Sequence, residues 1–193
     1  TLDTYKLKVK HNGFQDQFAR NCLQSNNGSG QSVSDVALME GISATDWSWC
    51  PLFADFDNDG NKDLFISSGI VKRPVDMDYV RFVSNLARKV DRNNSDQYDE
   101  MTVEKMPDGA SHPFFFKGSG GGPFKDVSNN WGTGTMKGYF NGAAYADLDN
   151  DGNIDMVVTC LNAPALIMKN NAPKQNSLSV KLKEDSMNRF GIG

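Results

Sequence analysis

Histidine is nearly missing from this chain, cysteine is scarce, and no apolar run approaches the ~18 residues of a membrane span. The two histidines, His11 and His112, lie near no patterned nucleophile, and His112 before Pro113 reads as an ordinary surface or core residue. No G-x-S-x-G elbow, C-x-x-C pair or H-E-x-x-H motif occurs. Cys22, Cys50 and Cys160 have no metal-ligand spacing, their odd number forbids a closed disulfide framework, and each reads as a small buried hydrophobe. Clustered Lys and Arg are absent too: the net charge is -4 and the pI near 5.1, which argues against nucleic acid, and no basic amphipathic stripe suggests a membrane surface. Gly118-Ser119-Gly120-Gly121-Gly122 lacks the Lys-Ser or Lys-Thr and the helix of a phosphate loop, and reads as a hairpin turn. The chain opens at Thr1 without a leader and closes at Arg189-Phe190-Gly191-Ile192-Gly193 without a capping helix. Both ends read as boundaries of a longer protein's piece and say nothing about compartment.

What is present is a duplication. Residues 53–63 read F-A-D-F-D-N-D-G-N-K-D and residues 145–155 read Y-A-D-L-D-N-D-G-N-I-D, identical at eight of eleven positions across an offset of 92. Upstream, Ser34-Asp35-Val36-Ala37 echoes Lys125-Asp126-Val127-Ser128. Before those, Leu23-Gln24-Ser25-Asn26-Asn27-Gly28 parallels Phe114-Phe115-Phe116-Lys117-Gly118. A third such segment, Leu166-Ile167-Met168-Lys169-Asn170-Asn171, is followed by no acidic loop.

The long offset has a visible cause, because residues 71–113 share nothing with the rest. Apolar residues at 79, 82, 83, 86, 87 and 90 have helical spacing, with Pro74 and Asp76 as start signals. Gln97 to Met106 reads as a second short helix, ended by Pro107-Asp108-Gly109. Without these 43 residues the unit is about 49 long, within the range of propeller blades. The repeated parts read as strands: 52–54 into the first loop and 63–67 out of it, 142–146 into the second and 156–160 out. Ser177 to Leu182 alternates strictly and reads as a half-exposed strand.

Asp55, Asp57, Asp59 and Asp63 occupy positions 1, 3, 5 and 9 of D-x-D-x-D-G-x-x-D, and Asp147, Asp149, Asp151 and Asp155 repeat the spacing. Four carboxylates crowded into nine residues repel one another without a cation, and calcium, a hard ion with a forgiving geometry, suits such a loop better than magnesium. Gly60 and Gly152 sit where a sharp turn needs positive φ. The backbone carbonyls of Asn61 and Asn153 are expected as further ligands, and Asp63 and Asp155 as bidentate ligands that close each sphere. The expectation is two calcium ions. Position 12 of each loop is apolar, Ile66 and Val158, and the flanks are strand-like, so an EF-hand is excluded.

The strand–D-x-D-x-D-G-x-x-D–strand unit resembles the FG-GAP or VCBS repeat of integrin α-subunit propellers and many secreted bacterial proteins. The likeness covers most of residues 18–70 and 112–171. Asn176 to Leu182, with Asn188 to Gly193, is similar to the opening of the ASPIC/UnbV domain that follows such repeats. The chain then divides into a first repeat (1–70), a helical insertion (71–113), a second repeat (114–171) and an ASPIC/UnbV-like segment (172–193). The resemblance implies a mostly β fold of propeller-blade-like antiparallel repeats, a partial propeller carrying a helical insertion. It also implies an extracellular, cell-surface or bacterial-envelope setting and a role in adhesion or recognition.

The function expected is therefore a calcium-binding repeat module, not an enzyme, recognising a protein or carbohydrate ligand. Trp47 and Trp49 are candidates to stack on that ligand, against a packing role between blades. Open blade edges invite self-association. The rival is a fragment of a polysaccharide-active or other hydrolytic enzyme, whose acid–base pair would come from Asp91, Asp96, Asp99, Glu100 or Glu104 in the insertion. A third reading is a structural spacer with no ligand beyond calcium.

Overall fold

The computed structural model describes residues 9–14, 18–28, 30–86, 95–173 and Val180. The fold is mostly β, built of antiparallel sheets with few helices. The expected strand at Ser177–Leu182 and nearly all of the ASPIC/UnbV-like segment lie outside the described residues, as do residues 87–90 at the end of the first expected helix.

Strands β1 (Gln24–Asn26) and β2 (Val33–Asp35) form a two-stranded sheet. Next comes a four-stranded sheet of β3 (Ser48–Ala54), β4 (Asp63–Ser68), β7 (Phe114–Lys117) and β8 (Lys125–Asp126), in that order. A three-stranded sheet follows, in which β10 (Asp155–Cys160) lies between β9 (Phe140–Ala146) and β11 (Leu166–Met168).

The sequence repeat is therefore out of phase with the sheets. Phe114–Gly118 and Leu166–Asn171 do not start sheets. They carry β7 and β11, each pairing beside a hairpin as a third strand, whereas Leu23–Gly28 carries β1, the first strand of the two-stranded sheet. The register shows the equivalence: Leu64 pairs with Phe116 as Met156 pairs with Met168, and Leu64 and Met156 each directly follow the last aspartate of their acidic loop.

Inward and outward side chains alternate along a strand, so a strand covered on both faces is apolar throughout. Strand β4 is buried along its whole length, with Leu64, Phe65 and Ile66 as its apolar middle and polar Asp63, Ser67 and Ser68 at its ends. Phe65 faces one core with Ala54, Phe56, Phe115, Val127, Phe140, Met156 and Val158, which fills the space between the two larger sheets. Leu64 and Ile66 face a second core with Ala37, Ile42 and Phe116. Edge-on aromatic pairs order the first core, Phe65 against Phe115 at 5.0 Å and Phe115 against Trp131 at 5.3 Å between centroids. Polar contacts stitch the sheets as well, with the Ser67 hydroxyl donating to the Asn141 carbonyl at 2.7 Å.

The insertion enters and leaves through a stem that sequence reasoning missed, β5 (Ile70–Lys72) paired with β6 (Asp108–Gly109). It carries α1 (Met77–Leu86) and α2 (Ser95–Lys105) between the second and third strands of the four-stranded sheet. Asp76 caps α1 as expected, accepting the Asp78 and Tyr79 N–H groups at 3.0 and 2.9 Å. The stem root is crowded, since a Cβ on Gly69 (φ +119°) would stand 2.4 Å from the Gly138 carbonyl oxygen. The cysteines depart from expectation: Cys22 is exposed and Cys50 and Cys160 only half-buried, because they fall on a loop and on strand positions at the rim of the core.

Candidate metal centre

Each acidic loop joins the first two strands of its sheet, β3 to β4 and β9 to β10. Both curl by the same backbone device. Asn58 and Gly60 take φ of 58° and 88°, and Asn150 and Gly152 take 60° and 92°. Asn is among the few non-glycine residues that tolerate this region, so positions 4 and 6 turn the chain twice and throw positions 1, 3 and 5 to one side. The sequence reading foresaw the glycine but not the asparagine.

The hydrogen bonds repeat as well. Asp55 accepts the Asp59 and Gly60 N–H groups at 3.0 and 2.9 Å, and Asp147 accepts those of Asp151 and Gly152, each at 3.0 Å. Asp59 accepts the Asn61 N–H at 2.8 Å, and Asp151 that of Asn153 at 2.9 Å. The result is two triads, Asp55 with Asp57 and Asp59, and Asp147 with Asp149 and Asp151, whose oxygens come within 4.8 Å of one another.

The donor set fits a hard divalent cation, being all carboxylate oxygen. One atom argues for the fit more directly. Asp57 Oδ1 is shielded from solvent and has no hydrogen-bond partner, an arrangement that costs free energy unless a cation or water satisfies it.

The ninth-position residues stand outside the triads. Asp63 is fully buried, and its two oxygens accept the Phe56 and Gly118 N–H groups, both at 2.9 Å. Asp155 accepts those of Leu148 at 3.1 Å and Asn170 at 2.8 Å. Each aspartate thus clasps the second residue of its own loop to the end of the third strand. Burial pushes the Asp63 carboxyl above its ordinary range, against the two N–H donors that favour its ionised form.

Two lysines complete the electrostatics. The Lys117 ammonium at the end of β7 pairs with Asp57 and, at 2.8 Å, with Asp59. Lys169, just past β11, pairs with Asp149 and, at 3.5 Å, with Asp151. Lys117 holds Asp59 below the usual carboxylate range, helped by the Asn61 N–H, and the carboxylates in turn raise Lys117.

The loops lie side by side. The Asn58 side chain donates to the Asn153 side chain at 2.8 Å, and the Asn170 amide donates to the Phe56 carbonyl at 2.6 Å. Beside them opens a cleft of about 500 Å³, lined by Phe56, Phe115, Trp131, Met156, Asp57 and Lys169 among others. Of its aromatic wall the sequence singled out Trp131 but not Phe56 or Phe115, because Phe56 looks like a loop spacer until the sheets meet over it.

The structure does not bring Trp47 and Trp49 to the triads. Trp49 lies at the start of β3, the strand whose far end carries the first loop, and Trp47 just precedes it. Trp49 is 48% exposed with its indole N–H donated to the Gly69 carbonyl at 2.7 Å, and Trp47 is half-buried. In the insertion Asp99, Glu100 and Glu104 are exposed, while Asp91 and the side chain of Asp96 lie outside the described residues. No helix among the described residues is long and apolar enough to cross a membrane. Comparison with protein-family models, curated proteins and solved structures finds no match to this chain.

Proposed function

We propose that this chain is a calcium-binding module of the FG-GAP/VCBS kind, its two larger sheets serving as neighbouring blades of a propeller in a secreted, cell-surface or envelope protein. One observation carries the reading: two loops of matched sequence and matched backbone each gather three carboxylates within 4.8 Å. Asp55, Asp57 and Asp59 would hold one ion, and Asp147, Asp149 and Asp151 the other, with the Asn61 and Asn153 carbonyls as added ligands. A bound calcium neutralises the repulsion within each triad. Because Asn58 and Asn153 couple the loops, the two ions would stiffen one shared edge. Weak extracellular sites of Kd ~10⁻⁴–10⁻³ M suit such a role.

The partner proposed is a protein or glycan, held by loops that the ions fix. Trp49, with half its surface exposed, and the aromatic cleft beside the loops are the surfaces that support this recognition role. The test is thermal unfolding in EDTA and in about 2 mM calcium, with Asp57→Ala and Asp149→Ala alongside. A calcium-dependent rise in Tm, reduced in each variant, is expected. An unchanged Tm in the unaltered protein would end the calcium reading.

A further inference from the structure

Each triad is already paired with a lysine, Lys117 at the first and Lys169 at the second. The position of that lysine is set by the sheet, since the β4–β7 pairing of Leu64 with Phe116 and the β10–β11 pairing of Met156 with Met168 place the next residue, Lys117 or Lys169, beside the loop. An ammonium offers three donors and takes two carboxylates at once, those at positions 3 and 5 in both copies. The lysine also tracks the loop. In β1, which no acidic loop precedes among the described residues, the pairing Ser25 with Ser34 corresponds to Lys117 with Lys125, so a serine stands where the other copies have lysine.

We propose that Lys117 and Lys169 are built-in competitors that set the calcium affinity of the two loops, with the first loop the weaker. This rests on the calcium reading above. Calcium entering a triad meets the like charge of the ammonium and must draw two carboxylates away from it. The competition is stronger at the first loop for two reasons. Lys117 approaches both of its carboxylates closely, whereas Lys169 stands 3.5 Å from its second. The Lys117 side chain is also less exposed, 37% against 56%, so water screens its charge less. A unit positive charge roughly 6 Å from a divalent ion in a water-like medium weakens binding by about tenfold.

The experiment is calorimetric titration of the full chain with calcium chloride, for the unaltered protein, Lys117→Met, Lys117→Gln, Lys117→Arg and Lys169→Met. The neutral Lys117 variants should bind about tenfold tighter at one site, Lys169→Met should tighten the other by less, and Lys117→Arg should bind no tighter than the unaltered protein. Asp149→Ala, which keeps only the first triad, should bind more weakly than Asp57→Ala, which keeps only the second; this ranking needs no lysine substitution and stands if a neutral variant fails to fold. Unchanged affinities in the neutral variants, or the reverse ranking, would overturn the proposal while leaving calcium binding intact. Heat from none of the proteins would instead overturn the calcium reading itself.

Discussion

Replacing Asp63 by alanine separates the two jobs a ninth-position aspartate can do. The buried carboxylate satisfies the Phe56 and Gly118 N–H groups, both at 2.9 Å, and so joins the loop to the end of β7. Alanine leaves both donors buried and unpaired, at about 1–3 kcal/mol each. Part of that loss is returned, because burial and the nearby Asp57 and Asp59 charges disfavour the ionised Asp63. The net expectation is a destabilisation of ~2–4 kcal/mol. For a chain of this size that is a Tm lower by ~5–15 °C. Asp63→Asn, keeping one acceptor oxygen but turning an amide N–H toward the other donor, should fall between. The assay is urea unfolding in EDTA, where metal ligation contributes nothing, repeated in calcium. A variant within about 0.5 kcal/mol of the unaltered protein in EDTA, losing stability only relative to the calcium-bound form, would refute the clasp and return Asp63 to the ligand set.

Two further outcomes follow from the packing and the charges. Gly69→Ala should cost ~3 kcal/mol or more, because φ of +119° and a carbonyl 2.4 Å from the new Cβ force the stem from the Ser111–Gly138 bridge; a loss under ~1 kcal/mol by urea unfolding would contradict this. The Tyr139 hydroxyl, donating to Asp108 at 2.8 Å, holds that carboxyl below its ordinary value of 3.8, with the Ala110 N–H assisting. A lowered folded-state pKa gives stability that is present above the unfolded value and is lost as pH falls through the folded one. Tyr139→Phe should therefore lower Tm at about pH 6, and its gap from the unaltered protein should narrow toward about pH 3; a constant gap would show that Asp108 contributes nothing through this bond.

The loops were legible because their signal is local: carboxylate spacing, a turn glycine and apolar flanks are all written within eleven residues. The strands on either side were legible as short apolar runs, and the first helix of the insertion from its spacing, for the same reason. What escaped depends on residues far apart. The β5–β6 stem pairs Ile70 with Gly109 through strands too short to show a period. Asp63 and Asp155 look like ligands by spacing, and only the arrival of Gly118 and Asn170 shows how their oxygens are engaged. Lys117 and Lys169 were visible as a repeated residue, yet their meaning came from the register that sets them against the triads. Trp47 and Trp49 precede the first loop in sequence, but the length of β3 separates Trp49 from it.

The central claim is that two calcium ions sit in the two triads, and anomalous diffraction from crystals grown in calcium tests it most directly. The account predicts two peaks, one bounded by Asp55, Asp57 and Asp59 and one by Asp147, Asp149 and Asp151, each with carboxylate oxygens at ~2.3–2.6 Å. Peaks elsewhere, or none in either triad while the lysines keep their carboxylates, would contradict it.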